Sequence, residues 1–360
     1  MDEWGFKMIS MNLVKREPLP PWVKIIIPFS AIIVSLFIAA IPILIAGGNL
    51  WKAYGSLFFG ALGNRFNLLE TFVKASPLIL TGLAVGFAFR SKFWNIGAEG
   101  QLYAGAIMAT IVGVYGTGIS GPLKIIIIIL LAFIAGGFWA AIPAFLKTKL
   151  KVDDVVTTLL LNYVMLHLVG ALLFGPLQQP GSSWPRSPQI AKDAFYPILI
   201  PNSRFHLGIL ISFIAVLVVW FINTKTLLGY QSKCVGVNIQ AAKYGGIHTG
   251  KVILLTALIS GGLAGLAGAG EVCAIQYNLI MDLSSGYGYT GVVIAMLGNL
   301  HPLGILLSAF FFSVIEVGSQ TMSRMSGVPV YITGVIEGTS LMVMLIFLLF
   351  IEYKIKWSKS

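Results

Sequence analysis

A long series of apolar stretches dominates this chain and restricts its fold more than any motif does. Residues 25–46, 72–89, 101–116, 122–146, 155–175, 207–222, 252–272, 287–298, 302–318 and 328–351 carry at most one charged side chain each. A helix rises ~1.5 Å per residue, so ~20 apolar residues cross the ~30 Å of hydrocarbon in a bilayer. Inside that hydrocarbon every backbone N–H and C=O must pair within the protein, and runs of this length satisfy the demand as helices. The sequence therefore predicts an all-α, polytopic transmembrane helical bundle of about ten spans. The stretch 287–298 is too short to cross alone. It either extends or forms a half-helix beside a protein-lined cavity.

Composition agrees. The chain is 57% hydrophobic and only 10% charged, whereas a soluble domain carries roughly 25% charged residues to cover a wet surface. Its 40 glycines suit helices that must approach closely where lipid supplies no hydrophobic drive. The formal charge of +11 comes from Lys and Arg scattered through short connections, which reads as membrane topology and not as a nucleic-acid footprint. With the N-terminus inside, basic residues favour the cytoplasmic side about two to one, so both termini are expected there. The polar residues before the first apolar run, with no small-residue cleavage site after it, predict that this run is retained as a span.

The division that follows is a cytoplasmic N-terminal segment 1–24, a membrane domain 25–351 and a basic cytoplasmic tail 352–360. Two connections are long. Residues 176–206 face outward and carry Pro176, Pro180, Pro185, Pro188, Pro197 and Pro201 with Trp184. Residues 223–251 face the cytoplasm, contain no proline, and favour a short helix outside the bilayer that invites a partner. Cys234 and Cys273 fall on opposite sides of this topology and cannot pair. Asp153 and Asp154 read as a solvated first helical turn, where they favour the helix dipole. One internal echo exists: Leu78-Ile79-x-x-Gly82-Leu83-Ala84 recurs as Leu258-Ile259-x-x-Gly262-Leu263-Ala264, a pattern of common residues that also fits a transporter built from repeats.

Two near-motifs carry no chemistry. Gly245-Gly246-Ile247-His248-Thr249-Gly250-Lys251-Val252 lacks the hydroxyl that a phosphate-binding loop places on Mg²⁺. Gly286-Tyr287-Gly288-Tyr289-Thr290-Gly291 spells a dinucleotide fingerprint without the strand and crossover that give it meaning, so its glycines are expected to serve close packing or a kink. His167, His206, His248 and His301 have no metal-ligand spacing, and neither a metal, another cofactor nor a catalytic group is expected.

The informative segment is Phe93-Trp94-Asn95-Ile96-Gly97-Ala98-Glu99-Gly100-Gln101. A carboxylate near hydrocarbon is costly and usually faces a cavity or the bundle interior. Asn95 or Glu99 could cap the helix that follows, line a pathway, or do both. This segment resembles the N-I-G-x-E-G-Q element of ABC-importer permeases for nucleosides, within the broad group that also serves ribose and branched-chain amino acids. Residues 152–163 (Val152-Asp153-Asp154 through Asn162-Tyr163), 235–247 (Val235-Gly236-Val237-Asn238 through Ile247) and 286–304 (Gly286 through His301-Pro302-Leu303-Gly304) resemble further elements of that family in the same order.

The resemblance implies a permease subunit that carries a nucleoside or related sugar and is driven by a separate cytoplasmic ATPase. The other implied partners are a second, paralogous permease and an extracytoplasmic substrate-binding lipoprotein, all at the cell membrane. It places a coupling helix in 235–247, with Asn238, Ala241, Ala242, Lys243 and Tyr244 as contact candidates. Asn95, Glu99, Asn162, Tyr163, Glu271 and Gln276 are the pathway candidates, because a sugar in transit needs hydrogen-bond partners and a base can stack on an aromatic face. The alternative is a transporter driven by an ion gradient through Glu99, Glu271, Glu316 or Glu337, since buried carboxyls are the usual proton carriers.

Overall fold

In the computed structural model, residues 9–15 and 21–359 are described. The helices are α1 (Pro21–Ile45), α2 (Leu50–Leu62), α3 (Arg65–Phe89), α4 (Ala98–Tyr115), α5 (Gly121–Phe145), α6 (Asp154–Leu173), α7 (Leu207–Lys225), α8 (Leu227–Val237), α9 (Ile239–Tyr244), α10 (Thr249–Gly270), α11 (Tyr287–Leu297), α12 (Pro302–Ser326) and α13 (Ile332–Glu352). π-Helical turns extend α5 over Leu146–Leu150 and α10 over Glu271–Gln276. Two strands, β1 (Ile9–Lys15) and β2 (Tyr353–Lys359), pair antiparallel with Ile9 opposite Lys359. This ribbon adds to the expected all-helical class and sets the two ends of the chain side by side. Much of the expected N-terminal segment 1–24, and Ser360 of the tail, lie outside the described residues.

All ten predicted apolar stretches fall on helices. Among the described residues six helices are long and apolar enough to cross a membrane, or seven if the bent pair α1–α2 counts as one span. That pair is a correction: residues 50–62, expected as a connection, form a helix bent 119° from α1. Asn49 caps it by accepting from Lys52 N at 3.1 Å, and its small residues meet α12. A Cβ on Gly60 would strike Thr321, and one on Gly318 would overlap the Leu57 carbonyl. A helix of 13 residues containing Lys52 falls short of spanning length, which is why hydropathy passed over it.

The centre of the bundle is α3 with α10, and both are buried along most of their length. Contact between α10 and its neighbours is backbone on backbone. A Cβ on Gly265 would overlap the Ala132 carbonyl of α5, one on Gly105 of α4 the Gly265 carbonyl, and one on Gly268 the Leu102 carbonyl. Such approaches maximise dispersion contact, the main source of helix adhesion when lipid and protein are equally apolar. The two copies of the internal echo lie on these central helices, and Ser260 Oγ of α10 donates to Ala84 O of α3 at 2.6 Å.

Candidate translocation and coupling site

The segment between α3 and α4 folds back into the bundle. Phe93, Asn95, Gly97, Ala98, Glu99, Gly100 and Gln101 are all buried. Asn95 Nδ2 donates to Ser260 Oγ at 2.9 Å, and Ser260 is the twelfth residue of α10, about 16 Å along that helix. α4 thus begins inside the protein, where water cannot satisfy the free N–H groups of its first turn. One face of α6 replaces the water at Gly100 N of that turn and at two backbone N–H groups of the segment leading into it. Asp154 Oδ2 accepts from Trp94 N at 2.6 Å, Thr158 Oγ1 from Ile96 N at 3.1 Å, and Asn162 Oδ1 from Gly100 N at 2.9 Å. Spacing i, i+4, i+8 puts these three acceptors in one row on a helix. Asp154 is therefore not the solvated residue the sequence suggested: it is buried and paired with Lys147 Nζ at 2.6 Å. Asp153 is the helix cap, accepting from Val156 N at 3.0 Å.

The glycine-rich segment at 286–291 answers to the same junction. Gly286 adopts φ +87°, and a Cβ on Gly288 would overlap the backbone nitrogen of Glu99. Glu99 Oε2 accepts from Gly288 N at 2.8 Å. Two helix N-termini, those of α4 and α11, therefore meet at one buried carboxyl, where their dipoles favour negative charge. The close-packing use of these glycines is what the structure has, and α11 is a helix of 11 residues.

A second polar group lies apart from this junction. Lys74 Nζ, the one charged side chain of the stretch 72–89, donates to Glu316 Oε1 at 2.9 Å and to Tyr287 Oη at 3.0 Å. Buried Glu271 lies within the electrostatic reach of both Lys74 and Glu316. On the outward-expected connection, the Glu70 carboxylate grips the Arg204 guanidinium, with Arg204 Nε donating to Glu70 Oε1 at 3.0 Å, and this hydrogen bonding raises the Arg204 pKa.

The proline-free connection forms α8 and α9. Asn238 Oδ1 accepts from Gln240 N at 2.9 Å and Ala241 N at 3.1 Å, capping α9. Val235 and Ala242 are buried against Ala88, Phe93, Ala144 and Val252, and a Cβ on Gly236 would overlap the Arg90 carbonyl at the end of α3. The opposite face is open: Tyr244 is 94% exposed and Val237 73%. The near-phosphate loop follows helix α9, not a strand, and runs straight into α10.

The structure sorts the candidates. Asn95, Glu99 and Asn162 converge on the α4–α6–α11 junction. Asn95 is fully buried with its side-chain amide occupied by Gln101, Gly97 N and Ser260, so it pins the loop and faces no open space. Tyr163 does not join Asn162: it is 54% exposed on another face of α6, and Tyr289 takes the neighbouring place, its Oη accepting from Asn162 Nδ2 at 3.3 Å. Glu271 belongs to the Lys74 group, and Gln276 is exposed at the end of its π-turn. Of the coupling candidates, Asn238, Ala241, Lys243 and Tyr244 are exposed, whereas Ala242 points inward. Sequence reasoning missed Thr158, Tyr289 and Lys74. The row of acceptors at 154, 158 and 162 was visible as spacing, but nothing in the sequence said what it would hold.

The family described as branched-chain amino acid transport system, permease component, matches residues 67–351. This chain belongs to that family. The glucose ABC transporter permease protein of Haloferax volcanii is 31% identical over 96% of this chain and 94% of its own length. The guanosine ABC transporter permease protein of Bacillus subtilis is 34% identical over 85% of this chain and 88% of its own. The nucleoside ABC transporter permease protein of Lactococcus lactis is 31% identical over 87% and 88%. No solved structure matches the chain. The protein is accordingly a multi-pass permease subunit of an ABC importer, a transporting and not a catalytic subunit. Membership of an ATP-driven family removes the ground for the ion-gradient alternative.

Proposed function

We propose that the chain lines the path of an importer for a nucleoside or a related sugar, and that α8–α9 receives the force of a separate cytoplasmic ATPase. The substrate names printed for the relatives support the class. In this reading both termini are cytoplasmic, as the Lys and Arg asymmetry and the paired terminal strands suggest, and α4 and α11 complete ten membrane segments as interrupted ones. A paralogous permease and an extracytoplasmic substrate-binding lipoprotein complete the assembly.

The observation that carries the reading is the two-sided seat of α9. Its inner residue Ala242 is buried in the same apolar cluster as Phe93 of the re-entrant segment, while Tyr244 and Ala241 are exposed. A push on α9 reaches Phe93, and through Asn95 and Gly100 reaches the junction held by Asn162 and Glu99. Ala241→Arg is expected to abolish ATP-dependent uptake and release the ATPase on purification, with the permease still folded by size-exclusion chromatography. Uptake at the wild-type rate by that variant would remove α9 as the docking element.

A further inference from the structure

A cavity of about 480 Å³ opens between α3, α11, α12 and α13, beside the turn joining the last two. Its wall is mixed: Leu78, Tyr287 and Val330 give it apolar surface, and Thr290, Glu316, Ser319, Gln320 and Glu337 set polar groups into it. Tyr331, 89% exposed, stands at the rim. Glu316 lies ten residues before the end of α12, about 15 Å below that rim. Glu337 lies five residues into α13, about 8 Å below it. The floor is braced from behind, since Lys74 is committed to Glu316 and Tyr287. Glu337 shares this wall with Thr290 and has no paired cation among the described residues.

We propose that this cavity is a transit station for an uncharged polyhydroxylated solute, whose neighbouring hydroxyls are held by the carboxyl groups of Glu316 and Glu337. The inference rests on the importer reading and adds to it a site and a selection rule. Two carboxyl groups from facing helices offer acceptors to adjacent hydroxyls, as on a ribose or hexose, and Ser319, Gln320 and Thr290 supply further partners. The volume lies within the 300–1,000 Å³ usual for small-molecule sites. A phosphate or carboxylate meets the opposite situation. The nearby ammonium is already engaged, and an anion in the cavity faces Glu337 without compensation. Leaving a charge unpaired in a low-dielectric site is costly, so anionic solutes are excluded.

The test uses the permease co-purified with its ATPase in lipid nanodiscs, carrying Tyr331→Cys at the rim in a Cys234→Ser background. A membrane-impermeant thiol reagent reports access to the cavity, and guanosine, D-glucose and guanosine monophosphate are the probes. Guanosine or glucose is expected to slow labelling in proportion to its occupancy, while the monophosphate leaves the rate unchanged. Adding Glu337→Gln raises the concentration for half-protection about tenfold, the loss expected for one hydrogen bond to a charged group. If that variant fails to assemble, Thr290→Val, which removes the hydroxyl beside Glu337, replaces it with the same expectation. The proposal is overturned if neither neutral polyol protects, if the monophosphate protects equally, or if the variant leaves protection unchanged. ATPase retention, read in the same samples, reports on the importer reading separately.

Discussion

Asn162→Ala tests whether α6 holds the re-entrant segment in place. The side chain serves three partners: Gly100 N at 2.9 Å, Ile96 O at 3.0 Å and Tyr289 Oη at 3.3 Å. Gly100 N belongs to the first turn of α4, so it has no partner within its own helix, and here it is buried. Truncation strands that N–H and the Ile96 carbonyl, each costing about 1–3 kcal/mol when no water reaches it. Allowing for partial relaxation, the loss should be about 3 kcal/mol, a large share of a marginal stability. Thr158→Val removes one acceptor, that of Ile96 N at 3.1 Å, and should cost about half as much. Asn162→Asp keeps the acceptor for Gly100 N but loses the donor to Ile96 O and brings a second carboxyl toward Glu99, so it should destabilise as well. Chemical or thermal unfolding in one detergent ranks the three variants, and limited proteolysis around residues 93–97 reports whether the loop opens. An Asn162→Ala protein with a wild-type midpoint, an uncut loop and normal uptake would refute the reasoning.

Backbone contact in the core predicts a sharp contrast between two glycines. Gly105→Val forces a branched side chain against the Gly265 carbonyl and should cost about 1–3 kcal/mol or more, seen as lost yield of monodisperse protein. Gly270→Ala meets nothing within 4 Å and should be neutral or slightly stabilising. His206, capping α7 just outside that span, is a pH sensor of stability. Burial, with the Arg204 charge beside it, lowers its pKa from 6.5 to about 4. The unfolded chain therefore binds a proton that the folded protein refuses between these values, and stability falls as pH drops through the window by up to about 3 kcal/mol. His206→Gln should flatten the unfolding midpoint against pH from 6.5 to 4, and an unchanged slope would count against a buried neutral imidazole.

Much of the helical architecture was legible because hydropathy is additive along the chain: each of the ten apolar runs falls on a helix, although among the described residues six or seven are long and apolar enough to cross a membrane. The helical character of 223–251 was legible for the same local reason, since a proline-free polar segment forms helix without help from afar, and it forms α8 and α9. Roles at single residues were harder. Ala241 and Ala242 are neighbours of one type, yet one is open and the other is buried in the cluster that includes Phe93. Asn162 and Tyr163 looked like a joint hydrogen-bonding and stacking pair, but a helix turns 100° per residue and sends them to different faces.

Sequence alone determined that the chain is a helical membrane bundle with a helical polar insertion, because each stretch answers to lipid or water by its own composition. Tertiary structure decided which polar groups meet. Glu99 found the N-terminus of α11 across 189 residues of sequence, and Lys74 found Glu316 across 242. In a bundle whose helices adhere through small residues, such pairings depend on crossing angle and depth, and neither is written in the periodicity of any one helix.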